Sequence, residues 1–517
     1  MMMPYRPEAF TDFSAAAEES RLQEALKRVN LQLGEDYPLM IGGKTIETKR
    51  RIVSVNPSDY KQVVGTVLMA DTPLAEQAIQ TAHAAFPAWS AVSTETRADC
   101  LFRAAAELRR RKHEFSAWLM VEAGKVRVEA DVETAEAIDF LEYYGRQMLQ
   151  LAQRGERELT GMSGERNRLD YLGLGVGIVI APWNFPLAIL AGMTTAALVA
   201  GNTVIVKPSS LTPVIAVKFV ELLIQAGIPA EAVQLVPGSG REIGDYLAAH
   251  PLTRFISFTG SKEVGLYLHE LSSRMAPGQR WLKRFVGELG GKDAIIVDRD
   301  ADLEQAAQGI VTSAFGFSGQ KCSACSRAIV HSDVYDAVLE RCSELADGLK
   351  VGNVQDFTCS TGPVINQSAY DSIGGYIDIA RTEGRITAGG GPAEGDGWYI
   401  RPTVVADADP GSRIMQEEIF GPVLAVAKAH DFEHALRIAN DSDYGLTGSV
   451  YTRSRVHIER ARQAFAVGNL YINRKCTGAI VGVHPFGGFN MSGTDSKAGG
   501  PDYLLLFTQP KLTSERL

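Results

Sequence analysis

Cysteine is scarce in this chain. Six residues in 517 (Cys100, Cys322, Cys325, Cys342, Cys359 and Cys476) build no disulfide framework. A reducing compartment, the cytoplasm, is therefore expected. Uninterrupted apolar stretches are missing too. The span 172–206 has no charged residue, but Pro182, Asn184, Pro186, Asn202 and several glycines break it. A membrane helix needs about 20 continuous apolar residues, so this span reads as buried strand, loop, helix, turn and strand. Met1 to Arg6 lack the apolar core of a secretion signal. Basic runs stop at Lys49-Arg50-Arg51 and Arg109-Arg110-Arg111-Lys112, and net charge is −9. Neither nucleic acid nor an anionic membrane is expected as a partner. No repeat or low-complexity segment occurs. What remains, 45% hydrophobic and 22% charged residues, is ordinary for a globular protein. The length predicts about three domains.

Helical spacing of apolar residues dominates 18–33, 72–86, 94–111, 115–123 and 132–153, with a short strand pair at 39–48. From 172 the pattern changes. Apolar strands are predicted at 176–180, 203–206, 233–236 and 255–258, separated by helices at 188–199, 213–226 and 241–247. Such alternation implies right-handed crossovers and a parallel sheet. A second α/β series follows, with strands at 294–297, 327–330 and 423–426 and helices at 303–314 and 334–349. Residues 154–170 read as an exposed hairpin and 503–508 as a strand.

Three segments carry candidate chemistry. Gly319-Gln320-Lys321-Cys322-Ser323-Ala324 presents a thiol beside a lysine expected to favour thiolate, the nucleophilic form. Cys325 adds a Cys-x-x-Cys spacing, the pattern of dithiol or metal chemistry, but no second cysteine pair or close histidine pair completes a zinc set. No metal site is expected. Ala181-Pro182-Trp183-Asn184-Phe185-Pro186 follows a strand and places an amide on a rigid loop, either an oxyanion donor or a structural turn. Glu288-Leu289-Gly290-Gly291-Lys292 sets a carboxylate on a glycine-flanked, mobile backbone, either a general base or a surface charge before a turn.

The three segments, their order and spacing, together with Lys207-Pro208-Ser209-Ser210, Phe258-Thr259-Gly260-Ser261, Glu417-Glu418-Ile419-Phe420-Gly421-Pro422 and Pro485-Phe486-Gly487-Gly488, resemble the aldehyde dehydrogenase superfamily from about residue 35 to the end. The resemblance implies an α/β fold: a Rossmann-like cofactor domain (1–153 and 171–286), an α/β catalytic domain (287–485) and a small β oligomerisation element (154–170 and 486–517). It implies that Cys322 attacks an aldehyde, that Asn184 and the Cys322 N–H hold the oxyanion, and that Glu288 activates the hydrolytic water. It implies NAD held by Ile180, Trp183, Lys207, Ser209, Ser210, Gly240, Gly260, Ser261, Gly265, Glu418 and Phe420. Many NAD-preferring relatives carry glutamate where this chain has Ser210; serine removes a charge that would repel a 2′-phosphate, so NADP is a second candidate. Gly238-Ser239-Gly240-Arg241-Glu242-Ile243-Gly244 nearly matches the dinucleotide fingerprint, one residue out of register, and is read as a turn flanking the cofactor.

The segments 473–482 and 258–261 and Trp281-Leu282-Lys283-Arg284 resemble a narrower group of the family, acting on L-glutamate γ-semialdehyde. That resemblance implies a carboxylate anchor at Gly478, Ala479 and Ser323, with Phe185 and Phe486 bracketing the aliphatic chain. Glu136 is a candidate for the amino group. Succinate semialdehyde is the alternative substrate, and a silent binding homologue is the alternative class. A homo-oligomer, at least a dimer, is implied, with the tail strand added to a neighbour's sheet. A functional link to a separate proline dehydrogenase is implied as well.

Overall fold

The computed structural model describes residues 4–154 and 159–517. Two seven-stranded sheets form its framework. In the first, Arg284–Glu288, Thr253–Thr259, Val176–Ile180, Thr203–Lys207 and Val233–Leu235 run parallel, and the hairpin Leu39–Ile41/Lys44–Ile46 closes the far edge antiparallel. Its centre lies where β-branched residues are densest, as a sheet covered on both faces requires. Gly177 lies under the Phe255 ring; a Cβ there would fall 1.9 Å from a ring carbon.

The second sheet runs Arg385–Ala388, Thr403–Ala406, Val423–Ala429, Cys325–His331, Asp293–Val297, Thr447–Tyr451 and Asn469–Ile472, parallel except for the first pair. The connection between the sheets is only Leu289–Lys292, so the last strand of one feeds directly into a central strand of the other. The register pairs Ile180 with Phe258 and with Lys207, and Thr259 with Glu288. These residues therefore share the carboxyl edge of the first sheet, where open α/β sheets bind ligands. Cys325 pairs with Asp293 at the amino end of its strand, so the Cys322 loop lies across from that edge.

Two helices beneath this edge lack caps of their own. Ala188–Val199 and Pro213–Gln225 begin after Leu187 and Thr212, whose side chains cap nothing. Buried glutamates from distant helices replace them. Glu133 accepts from the Leu187 and Ala188 N–H groups at 2.9 and 3.2 Å, and Glu122 from Val214 and Ile215, both at 2.8 Å. A helix start otherwise leaves such donors unsatisfied in the core.

Several expectations change. The run 503–508 is a tight helical turn, Tyr503–Phe507, because burying Tyr503, Leu504 and Phe507 together requires helical spacing. The tail strand is Thr508–Arg516, and it pairs antiparallel with Glu165–Gly173 of the same chain. Of the predicted hairpin at 154–170, residues 155–158 lie outside the described residues; helix Arg127–Arg154 ends on one side of them and the strand from Glu165 starts beyond. The boundary at 286 cuts the strand Arg284–Glu288. Within 486–498, Phe489–Asn490 pairs with Tyr444–Gly445 and Phe486 bridges Ala498. The helix expected at 241–247 opens as a wide turn, Gly240–Gly244, and continues as Asp245–Ala249. Among the described residues, no helix is long and apolar enough to cross a membrane.

Candidate active site

The nucleophile loop starts from strained backbone. Phe317, Ser318 and Gly319 all have positive φ (53°, 53° and 69°). Two of the three are not glycine, and such conformations persist only when neighbours impose them. Ser318 is held by Thr361, with N–H to Oγ1 at 3.2 Å, and donates its hydroxyl to the Gly362 carbonyl at 2.6 Å. At Gly319 a Cβ would fall 2.3 Å from the Gly421 carbonyl oxygen. Gly319→Ala should therefore lose about 1–3 kcal/mol of stability from backbone strain alone, and should displace Cys322; thermal unfolding and alkylation of the thiol both report it.

Cys322 is partly exposed at the end of this turn. Burial pushes its thiol above the ordinary range, and the carboxylates of Asp293, Glu288 and Glu418 push it further, while the Ser323 N–H opposes them. The expected help from Lys321 is absent. Its ammonium lies 2.7 Å from both oxygens of Glu129, so its charge is already paired. Cys322 therefore rests as the thiol. Cys325 lies in the hydrophobic core of the second sheet, with its Sγ donating to the Arg327 carbonyl at 3.5 Å.

Asn184 is buried and reaches the same loop. Its Nδ2 donates to the Gln320 carbonyl at 3.0 Å, which orients the amide and leaves its second N–H free to serve an oxyanion. Gln320 is fixed in turn: Nε2 donates to the Phe317 and Pro363 carbonyls, and Oε1 accepts from Ile365.

Glu288 is not on mobile backbone. It ends a paired strand, and its Oε1 accepts from the Ser496 hydroxyl. Its Oε2 is buried without a partner among the described residues. Burial raises the carboxyl to about 8, against the lowering effects of Ser496 and Lys497. Lys497 is tied to the Gly468 and Gly487 carbonyls at 2.7 and 2.5 Å. Sequence reading missed Ser496 and Lys497 because only tertiary packing brings residues some 200 positions downstream to Glu288.

On the cofactor side, Lys207 is buried, and burial lowers its ammonium to about 8. Its hydrogen bond to the Pro208 carbonyl is long, 3.4 Å. An ammonium so weakly partnered at a strand end suits a ligand's hydroxyl or phosphate oxygens. Glu418 Oε1 accepts from the Gly291 N–H at 3.0 Å, and Gly290 must lack a side chain because a Cβ would meet Glu418 Oε2 at 2.1 Å. Phe420, at φ 55°, meets Trp183 edge-on with centroids 5.4 Å apart. Ser261 caps helix Lys262–Ser273, and Gly260 donates to the Glu288 carbonyl at 3.1 Å. Gly265 faces Leu289, where a Cβ would fall 2.2 Å from a methyl carbon. A cavity of about 420 Å³ lies between Ser261 and Glu418, walled also by Tyr444 and Tyr376. Ile180 ends its strand at this edge, half-buried; Ser209 Oγ accepts from Leu211 N–H at 3.2 Å, while Ser210 and Gly240 are exposed. A buried weakly paired lysine, a carboxylate across a cavity and a capped helix start fit a dinucleotide.

On the opposite side, Phe185 meets Phe317 edge-on at 6.4 Å. The loop 476–482 is tied to the nucleophile loop by Cys476 Sγ, which donates to the Ser323 carbonyl at 3.5 Å. Gly478 has φ 78°, and the N–H groups of Gly478 and Ala479 meet no acceptor among the described residues. Phe486 is fixed by paired backbone bonds to Ala498 at 2.9 and 2.8 Å. Glu136 is half-buried, and burial raises its carboxyl to about 8.

A thiol, a fixed amide and a raised carboxyl meet at the junction of two α/β sheets, beside a cavity between Ser261 and Glu418, an arrangement that suits covalent oxidation of an aldehyde. The aldehyde dehydrogenase family model matches residues 45–513, and the chain belongs to that family. Among its relatives, 1-pyrroline-5-carboxylate dehydrogenase of Geobacillus kaustophilus is 60% identical over 515 residues, with all of both chains covered. The same-named protein of Bacillus cereus is 59% identical over 517 residues, again covering both chains fully. The NAD-bound crystal structure of 1-pyrroline-5-carboxylate dehydrogenase from Thermus superposes with TM-score 0.98 at 48% identity over 100% of both chains. Proline utilization A from Bdellovibrio bacteriovorus superposes with TM-score 0.97 at 42% identity, covering 99% of this chain and 53% of that one.

Proposed function

We propose that this chain oxidises L-glutamate γ-semialdehyde, the open form of 1-pyrroline-5-carboxylate, to L-glutamate with NAD, in proline degradation. The observation that carries the reading is 60% identity over the full length to a protein named 1-pyrroline-5-carboxylate dehydrogenase.

The Cys322 thiol gives its proton to water as its sulfur adds to the aldehyde carbon, the carbonyl π bond breaks, and a thiohemiacetal forms. The developing oxyanion takes hydrogen bonds from the free Asn184 N–H and the Cys322 backbone N–H. NAD supplies the hydride acceptor when bound. Lys207 and Glu418 would hold the ribose hydroxyls, and Ser261 with the helix start behind it would receive the pyrophosphate. Glu288 then takes a proton from water, which attacks the Cys322 thioester; glutamate leaves and the thiol is regenerated. Gly478 and Ala479 N–H groups and the Ser323 hydroxyl receive the α-carboxylate, and Phe185 and Phe486 flank the methylene chain.

Asn184→Ala should lower kcat about 10²–10³-fold with little change in NAD affinity, since the oxyanion and the Gln320 carbonyl each lose a donor while no cofactor contact is removed; steady-state kinetics check it. The overall reading is tested by incubating the purified protein with 1-pyrroline-5-carboxylate and NAD. Glutamate and NADH should form one for one, and absence of glutamate overturns the reading.

The paired strands Glu165–Gly173 and Thr508–Arg516 expose Leu172 and Leu512 at their surface. Their open edges and apolar side chains support a homo-oligomer, at least a dimer, built on this ribbon; light scattering tests it. The free cysteines support a cytoplasmic location. The proline utilization A relatives support a functional link to a proline dehydrogenase, the activity that generates the substrate.

A further inference from the structure

The most deeply buried charges near the site belong to groups that the mechanism above leaves unused. Lys125 and Glu133 are both 0% exposed, with Nζ and Oε2 2.7 Å apart. Burial pulls the ammonium toward its neutral form, and the Glu133 carboxylate opposes that. Such pairs are costly to desolvate and are weak evidence for stability. Their placement explains more. The Lys125 ammonium lies between two aromatic rings, 3.8 Å from the Phe185 centroid and 4.1 Å from that of Phe317. Phe185 follows Asn184 directly. Phe317 begins the strained turn that ends at Cys322. The other oxygen of Glu133 accepts from Leu187 and Ala188, the residues closing the Asn184 loop.

We infer that Lys125 and Glu133 are positioning residues: one ion pair clamps the amide loop and the nucleophile loop together and so sets the distance between the two halves of the oxyanion hole. Lys125 grips a ring from each loop. Glu133 fixes the amide loop at its helical end. The strained Phe317 backbone gains a partner on its ring side. Displacements on the order of 1 Å in such a site cost about a hundredfold in rate, so a clamp acting at both loops changes kcat without touching substrate. The inference rests on the oxyanion assignment proposed above and not on the identity of the aldehyde.

The test is the double variant Lys125→Met/Glu133→Gln. Methionine keeps the length and fills the space; glutamine keeps a carbonyl oxygen for Leu187 and Ala188. No unpaired charge remains, so the protein should unfold within a few degrees of the parent. A kcat lowered 10-fold or more at unchanged NAD affinity, with partial recovery in Lys125→Arg, is the expected result. Parental kcat in a double variant of parental melting temperature overturns the inference. Should the double variant fail to fold, Phe317→Leu keeps the ion pair and removes only one ring. It should lower kcat about 5-fold or more, and unchanged kcat there overturns the inference equally. The parent's own turnover, measured alongside with any aldehyde it accepts, separates this outcome from failure of the substrate assignment.

Discussion

Cys322→Ala should abolish aldehyde oxidation, with kcat down on the order of 10⁴-fold or more, while NAD still binds. No other thiol substitutes: Cys325 and Cys476 are buried, and the strained turn through Gly319 presents only position 322. A removed nucleophile leaves only binding and the oxyanion donors, and in enzymes of this logic that residue of catalysis is small. Cys322→Ser is the sharper companion, since a hydroxyl of much higher pKa occupies the same volume. Because burial, first of all, and the acidic groups around it favour the resting thiol, alkylation of Cys322 in the free protein should be slow at neutral pH and accelerate in alkali. NADH release measures the loss, and titration of NAD binding by fluorescence confirms the fold.

Glu288→Gln should separate the two halves of the reaction. Glutamine can still accept from Ser496, so the strand end and the 486–498 segment stay in place, but it takes no proton from water. Steady-state kcat should fall about 10²–10⁴-fold, the range for loss of a general base. One equivalent of NADH per site should still appear rapidly, and the thioester on Cys322 should accumulate to a mass increment visible in the intact protein. The pH dependence follows from the raised carboxyl. Glu288 works as the carboxylate, whose fraction falls tenfold per pH unit below about 8. The deacylation rate should therefore climb toward pH 8 and level above it, and the glutamine variant should lose that limb.

Much of this was legible in the chain. The strands at 176–180 and 203–206 are β-branched, that at 255–258 is largely aromatic and apolar, and all three form the first sheet as expected. The strands Thr403–Ala406, Thr447–Tyr451 and Asn469–Ile472 were not, because each is short and two carry glycine or asparagine, so only pairing with a neighbour makes them strands. The Lys321 assignment failed because a sequence shows which charge is adjacent but not that Glu129, 192 residues upstream, has already neutralised it. Glu288 looked mobile beside two glycines; those glycines instead make room for the Glu418 carboxylate and the Cys322 carbonyl. The tail misled for the opposite reason: Tyr503-Leu504-Leu505-Leu506-Phe507 has strand composition, yet its burial is helical. Lys125, Glu133 and Ser496 carried no signal at all, since each acts on a loop far away in the chain.

The substrate assignment rests on full-length identity to relatives named for it, and the Gly478–Ala479 loop, whose N–H groups meet no acceptor among the described residues, is the proposed receiver of the substrate's α-carboxylate. Comparing kcat/KM for glutamate γ-semialdehyde and succinate semialdehyde, with NAD saturating, tests it most directly. At least about 100-fold preference for glutamate γ-semialdehyde is expected, because succinate semialdehyde lacks the α-ammonium and is one carbon too short to bring its carboxylate to the Gly478–Ala479 donors while its aldehyde is at Cys322, and so leaves them unpaired. Equal or better turnover of succinate semialdehyde contradicts it.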